Sequence, residues 1–262
     1  MSSNDPIWQR IRDEATQSRA REPHLASFLD RAVLEHADLD AALGFNLARQ
    51  LCCPSIPAVE VEQIIAMALR ADANIGRSVR LDMQAVFDRD AACDNYLSPL
   101  LFFKGFQALQ LYRIGHWLWT HNRPELALYF QNQISENFAV DIHPAAQIGA
   151  GIMLDHATGL VIGETAVVGD NVSILHAVTL GGSGAQAGDR HPKIGNGVMI
   201  AAGAKILGNI HIGAGVKVGA GSLVLESVPD HVTVVGVPAK IVGAPSERDP
   251  ALEMNQAIDQ EG

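Results

Sequence analysis

Aromatic side chains run out at Phe138. The chain has 262 residues but only fourteen Phe, Trp and Tyr, and none lies beyond that position. The stretch that follows therefore has no rings to fill a wide core; its interior must be narrow and aliphatic. Cysteine is also scarce. Cys52, Cys53 and Cys93 are odd in number and lack any framework spacing, which fits a reducing cytoplasm. Cys52 and Cys53 read as small residues at a helix end, with no partners at metal-binding spacings. Basic residues are outnumbered, 19 against 29 acidic, and the net charge of -10 excludes general binding to nucleic acid or an anionic membrane. No apolar run approaches the roughly 20 residues of a spanning helix. The start of the chain has neither the basic nor the apolar region of a secretory signal. The expected location is cytoplasmic. The length suffices for one large or two modest domains.

What is present is a count in sixes. Aliphatic residues stand at Ile142, Ile148 and Leu154, at Ile162, Val168, Ile174 and Leu180, and again from Ile194 through Ile200, Ile206, Ile212, Val218 and Val224. Of the 24 glycines, 19 lie between Gly149 and Gly243. Six is not a helical period. It fits short strands joined by tight corners and wound into a parallel β-helix, with inward aliphatics stacked at strand spacing, about 4.8 Å. An ordinary sheet protein would alternate by twos. The beat breaks twice. Two extra residues intrude between Leu154 and Ile162, beside Asp155 and His156. Eight more fill the space between Leu180 and Ile194, a loop ejected from the coil that carries Arg190 and His191. Loops on a rigid coil are favoured places for function.

Residues 1–140 read as a helical domain, 141–245 as the β-helix, and 246–262 as a polar, aperiodic and flexible tail. Asp5-Pro6, Asp38 and Ser55-Ile56-Pro57 are helix starts. Ser98-Pro99 opens a long apolar helix through Trp117, and Pro124 opens another that ends near Asn137. The aromatic stripe reads as helix core or subunit contact. Pro229 to Val242 reads as a last partial coil and an exit strand.

Of the ten histidines, His156 and His176 are both third in their hexads, so they stack on one corner. Two histidines and a third from elsewhere would suffice for zinc, but no cluster completes the set and no metal is expected. Acid–base work suits a histidine better, because imidazole titrates near neutrality. Asp141 lies fifteen residues before His156. It is either the carboxylate that orients that ring or a cap where helix meets β-helix. Arg190 offers a planar fork for a carboxylate or phosphate. Lys193, Lys205, Lys217 and Lys240 fall on different faces and form no phosphate stripe.

Several runs then carry a resemblance. They begin at Asp141 (Asp-Ile-His-Pro-Ala-Ala), Gly151 (Gly-Ile-Met-Leu-Asp-His-Ala-Thr-Gly), Val172 (Val-Ser-Ile-Leu-His-Ala-Val-Thr-Leu-Gly-Gly) and Gly188 (Gly-Asp-Arg-His-Pro-Lys-Ile). The helical run from Leu100 to Trp119 and Asp82-Met-Gln-Ala-Val belong with them. Together they resemble the serine O-acetyltransferases, over about residues 5–245. The resemblance implies an α+β fold, an all-helical domain before a left-handed parallel β-helix of hexapeptide repeats with one ejected loop. The repeat itself does not reveal the hand. It implies trimers, paired into hexamers, and acetyl transfer from acetyl-CoA to the L-serine hydroxyl in cysteine biosynthesis. It implies His156 as general base with Asp141 as its orienting partner. Asp90 and Asp155 would face the serine ammonium, and Arg190, with His191 beside it, the carboxylate. Amides near Gly182, Ala202 and Ala220 would line the CoA groove between subunits. L-cysteine is the implied feedback inhibitor. Family members that dock into cysteine synthase commonly end in isoleucine, whereas Ile258 is followed here by four residues to Gly262, so that complex is not expected.

Three other readings compete. One is an acetyltransferase of this fold for homoserine or a sugar, which the zwitterion-binding set of Asp90, Asp155 and Arg190 does not suit. The second is a β-helical metal hydratase, which needs three converging histidines. The third is a non-catalytic scaffold, which has no use for Asp141 and His156.

Overall fold

In the computed structural model, residues 5–52, 56–184 and 187–258 are described, so Cys53 and Gly262 lie outside the described residues. Helices come first. α1 (Pro6–Arg21) starts where Asp5 accepts the amides of Ile7 and Trp8. α2 (Ala26–Leu29) continues into a π-helical turn over Asp30–Leu34. α3 (Leu39–Leu51) is capped by Asp38, and α4 (Ala58–Ala71) follows Pro57. α5 (Ala73–Arg89), a helix absent from the sequence reading, is capped by the Asp72 side chain and buries Ile75, Val79, Met83 and Val86 at helical spacing. The helix expected from Ser98 to Trp117 is two helices, α6 (Leu97–Leu101) and α7 (Lys104–Thr120), broken at Phe102 and Phe103. Gly105, in the first turn of α7, lies so close to the Leu154 carbonyl that an added Cβ would collide with it. α8 (Pro124–Phe138) ends at Ala139, which turns left-handed at φ 55°.

Strands then wind into a solenoid of three parallel sheets. The first stacks β1 (Val140–Ile142), β4 (Leu160–Ile162), β7 (Thr179–Gly181), β10 (Lys205–Leu207) and β13 (Leu223–Val224). The second stacks β2 (Gln147–Ile148), β5 (Val167–Val168), β8 (Lys193–Ile194) and β11 (His211–Ile212). The third stacks β3 (Met153–Leu154), β6 (Ser173–Ile174), β9 (Met199–Ile200), β12 (Lys217–Val218) and β14 (Thr233–Gly236), and β15 (Ala239–Gly243) returns antiparallel beside β14. The exit is thus a hairpin where a single strand was expected.

The register explains the sixes. Val161 pairs with Thr179, one regular coil of eighteen residues. Val140 pairs with Leu160 and Thr179 with Lys205, so the two breaks lengthen their coils by two and by eight residues. Twelve of the thirteen hexad aliphatics are buried, Ile206 and Val218 completely. Each contributes on the order of 1.5–3 kcal/mol. The exception, Ile148, is partly buried on the first coil. Lys193, Lys205 and Lys217 sit on three different sheets, as their places in the repeat require.

One buried ion pair locks the helices onto the first coil. Asp82 accepts two nitrogens of Arg113, the Gln110 amide and the Ile152 amide, and Arg113 also donates to the Gly149 carbonyl at 2.7 Å. Burial pushes the Asp82 carboxyl up, while the Arg113 fork and the amides pull the other way. Beyond Ser246 the chain carries α9 (Pro250–Glu253). The Ala251 carbonyl accepts Ser173 Oγ at 2.7 Å, and Lys217 donates to Ala257 on the same sheet face. No helix among the described residues is long and apolar enough to cross a membrane.

Candidate active site

The corner after the third sheet carries the first group of candidates. His156 and His176 take the same place in successive coils, and their rings meet edge to face at 6.0 Å. The His156 side chain is 76% exposed, with the Asp155 carboxylate 3.8 Å from Nε2. The end of α5 and the start of α7 wall a cleft of about 400 Å³ above this corner, lined by Asp90, Lys104, Asp155 and His156. One oxygen of Asp90 accepts the Ala92 amide at 2.8 Å. Two carboxylates beside an exposed imidazole suit a cationic group held next to a base. Among the described residues no three His, Cys, Asp or Glu side chains converge as a metal set.

The corner after the first sheet carries the second group, where the long loop leaves the coil. Arg190 is already engaged: NH2 donates to Glu164 at 2.7 Å and NH1 to the Gly188 carbonyl at 3.1 Å. That bond from Arg190 holds the Glu164 carboxyl below its ordinary range. His191 folds onto Gly163 so tightly that a Cβ there would collide with the ring. Thr165 Oγ1 accepts the backbone amides of both Arg190 and His191, and the Thr165 amide donates to His191 Nδ1 at 3.2 Å. The neutral ring therefore carries its proton on Nε2. Burial first, and the Arg190 charge second, lower the His191 pKa. Lys193 closes the stem of the loop, donating to Asp189, to the Thr165 carbonyl and to the His191 carbonyl.

The six predicted substrate and acid–base residues are thus sorted in space. Asp90, Asp155 and His156 meet in one cleft. Arg190 and His191 lie together at the opposite end of the first sheet. Asp141 lies on β1 within that sheet, and its carboxylate accepts Gln131 at 2.7 Å, while the carboxylate paired with His156 within the chain is that of Asp155. The groove residues divide the same way. Ala202 and Ala220 continue the column of His156 and His176, each two residues beyond the buried aliphatic of its coil, while Gly182 adjoins Arg190. Sequence reasoning missed Glu164, Thr165, Lys104 and Thr158. The first two lie one coil from Arg190 but 26 and 25 residues earlier in the chain, a neighbourhood visible only once the eight-residue excess of the loop is counted.

A family profile described as "Serine acetyltransferase, N-terminal" matches residues 7–111, and one described as "Bacterial transferase hexapeptide (six repeats)" matches residues 191–226. The chain is 55% identical over 250 residues to the serine acetyltransferase of Salmonella typhimurium, covering 95% of this chain and 92% of that one. A solved structure of serine acetyltransferase in complex with cysteine superposes with a TM-score of 0.94 at 52% identity, covering 97% of each of the two chains to within a point (97% and 98%). The Brucella abortus enzyme in complex with coenzyme A superposes at 0.91 with 50% identity, covering 92% of this chain and 96% of that one. One profile falls on the helices and the other on the coils, and the identity extends across both and the cleft between them, so the chain belongs to the serine acetyltransferase family.

Proposed function

We propose that His156 is the general base of this enzyme, that Asp90 and Asp155 receive the serine ammonium beside it, and that Arg190 and His191 reach the same serine from a neighbouring copy of the chain. The overall reaction follows from the family: acetyl passes from acetyl-CoA to the hydroxyl of L-serine, giving O-acetyl-L-serine and CoA on the way to cysteine. His156 takes the hydroxyl proton as oxygen attacks the thioester carbon. The carbon–sulfur bond then breaks, and the imidazolium returns that proton to the leaving thiolate. Attack is direct. Among the described residues the two cysteines, exposed Cys52 and buried Cys93 with its thiol pushed up by burial, do not line the cleft of His156.

The observation that carries this reading is the division of the binding set between two ends of one sheet. A zwitterion needs an anion for its ammonium and a fork for its carboxylate. One chain presents them at separate corners, and a closed ring of three chains sets one corner against the other. Asp141 is assigned as the orienting carboxylate in the assembled site from the likeness of its run to the family, and the exposed His156 side chain is open to such a partner. Acetyl-CoA lies along the corner column, where Ala202 and Ala220 leave a track free of long side chains, with Gly182 of the facing corner across from it. L-cysteine presents the same ammonium and carboxylate as serine and competes for the same groups, in keeping with the relative solved in complex with cysteine.

The test is CoA release from acetyl-CoA with L-serine, homoserine and a hexose as acceptors, run beside His156→Ala. Release that depends on serine and falls about 10²–10⁴-fold in the variant is expected. Release only with another acceptor overturns the substrate, and full activity in the variant overturns the base.

A further inference from the structure

His156 and His176 occupy the same place in consecutive coils, yet their backbones differ. The His176 corner closes with one left-handed residue, Ala177 at φ 57°. The His156 corner carries the two-residue break, and there His156, Ala157 and Gly159 all have positive φ, at 52°, 57° and 75°. A left-handed conformation at non-glycine residues is strained, and it persists only where the surroundings hold it. The break therefore re-aims His156 relative to the histidine above it, and something must keep it so.

The helical layer supplies the hold on both flanks. Before His156, the backbone of Gly105 presses on the Leu154 carbonyl. After it, Lys104 Nζ donates to Thr158 Oγ1. The Gly159 amide is tied to the Ala139 carbonyl at 2.7 Å. Of these contacts, Lys104 to Thr158 is the one made by two side chains, and Lys104 exists at that spot because the helix breaks at Phe102 and Phe103 and starts again.

We infer that Lys104 and Thr158 are positioning residues, a clamp from the first turn of α7 that holds the strained corner so that His156 points at the serine hydroxyl. The inference rests on His156 being the base. Thr158→Val keeps the shape of the side chain and removes the acceptor; Lys104→Met keeps its length and removes the donor. Displacement of a catalytic group by about 1 Å can cost roughly 10²-fold, so kcat is expected to fall by about 10- to 100-fold in either variant. The KM for serine should stay within a few-fold, and Thr158→Ser should restore most of the rate.

A double-variant cycle separates this from its alternatives. If Lys104 acts through His156, adding Lys104→Met to His156→Ala costs nothing further. An additive loss, or a rise in serine KM in place of a fall in kcat, means that Lys104 binds substrate itself and overturns the inference. An unchanged kcat in Thr158→Val overturns it as well. Full activity in His156→Ala alone is a different failure, that of the base. Circular dichroism and oligomer size of each variant show that a loss belongs to the corner and not to unfolding.

Discussion

The two ends of the first sheet handle charge in opposite ways. At the His156 end, Asp90 and Asp155 border an open cleft, and the nearest cation, Lys104, is spent on Thr158. At the Arg190 end the charged side chains are paired inside the chain, Arg190 with Glu164 and Lys193 with Asp189, and the neutral His191 ring rests on Thr165. One end is a receptor held open by helices. The other is a paired network whose fork meets a ligand in competition with Glu164. A groove with a prebuilt acceptor and a fork on loan can bind an ammonium first and engage a carboxylate second.

Mixing inactive variants is the hardest test of that contrast. His156→Ala and Arg190→Ala should each be nearly dead alone. If every site takes one end from each of two chains, random mixed assemblies regain about a quarter of the wild-type rate, because a quarter of the sites receive both intact ends. No recovery in a mixture shown to exchange subunits means that one chain builds the whole site. A smaller effect follows at the second end alone. Arg190→Gln removes charge-assisted hydrogen bonds worth roughly 1.5–3 kcal/mol, so kcat/KM for serine should drop about 10- to 100-fold while KM for acetyl-CoA holds. Glu164→Gln frees the fork from a half-exposed pair worth about 1 kcal/mol or less, so it should lower serine KM by a few-fold. If Glu164→Gln raises serine KM, Glu164 assists Arg190 and does not compete for it.

The smallest effect is one of acid. Burial depresses the pKa of both His191 and His143, so the unfolded chain binds their protons more tightly than the folded corner does. Their stabilising contribution is present above the ordinary histidine value of about 6.5 and is lost as pH falls through the lower folded values. Glu164, held down chiefly by Arg190, acts in the same direction at lower pH. Amide exchange at residues 188–195 should therefore quicken relative to residues 153–160 as pH drops from neutral, and His191→Gln should flatten the difference. Equal quickening at both corners removes the electrostatic part of the contrast.

How much of this could be read from residues alone depends on what each feature answers to. The solenoid was legible because a stacked aliphatic must recur each time the chain turns a side of the prism, and Ile200, Ile206 and Ile212 obey that rule with no reference to anything distant. The alignment of His156 over His176 followed from the same count. The break between α6 and α7 was not legible, since apolar spacing runs unbroken through Phe102 and Phe103, and the close approach of Gly105 to Leu154 just after it involves a residue some fifty positions away. α5 escaped notice although Ile75, Val79, Met83 and Val86 recur at helical spacing, because that face is thin and shared with the buried charges of Asp82 and Arg89. The residues of the site were named from the runs they sit in. Their division between two ends of a sheet is a property of winding, which no single run contains. Glu164 was hidden for a related reason: its nearness to Arg190 is fixed by the number of residues the loop throws out.

The column that rises from His156 through His176 to Ala202 and Ala220 has one more consequence. On the proposed assignment chemistry sits on the lowest step, and the bare steps above it merely repeat. Length in this molecule is therefore modular: one further eighteen-residue turn spliced in above Ile200 would extend the track by a single strand spacing, about 4.8 Å, and leave the lowest step untouched. A solenoid separates where a reaction happens from how long a donor it can accommodate, so reach can be edited in whole turns without disturbing the groups that react.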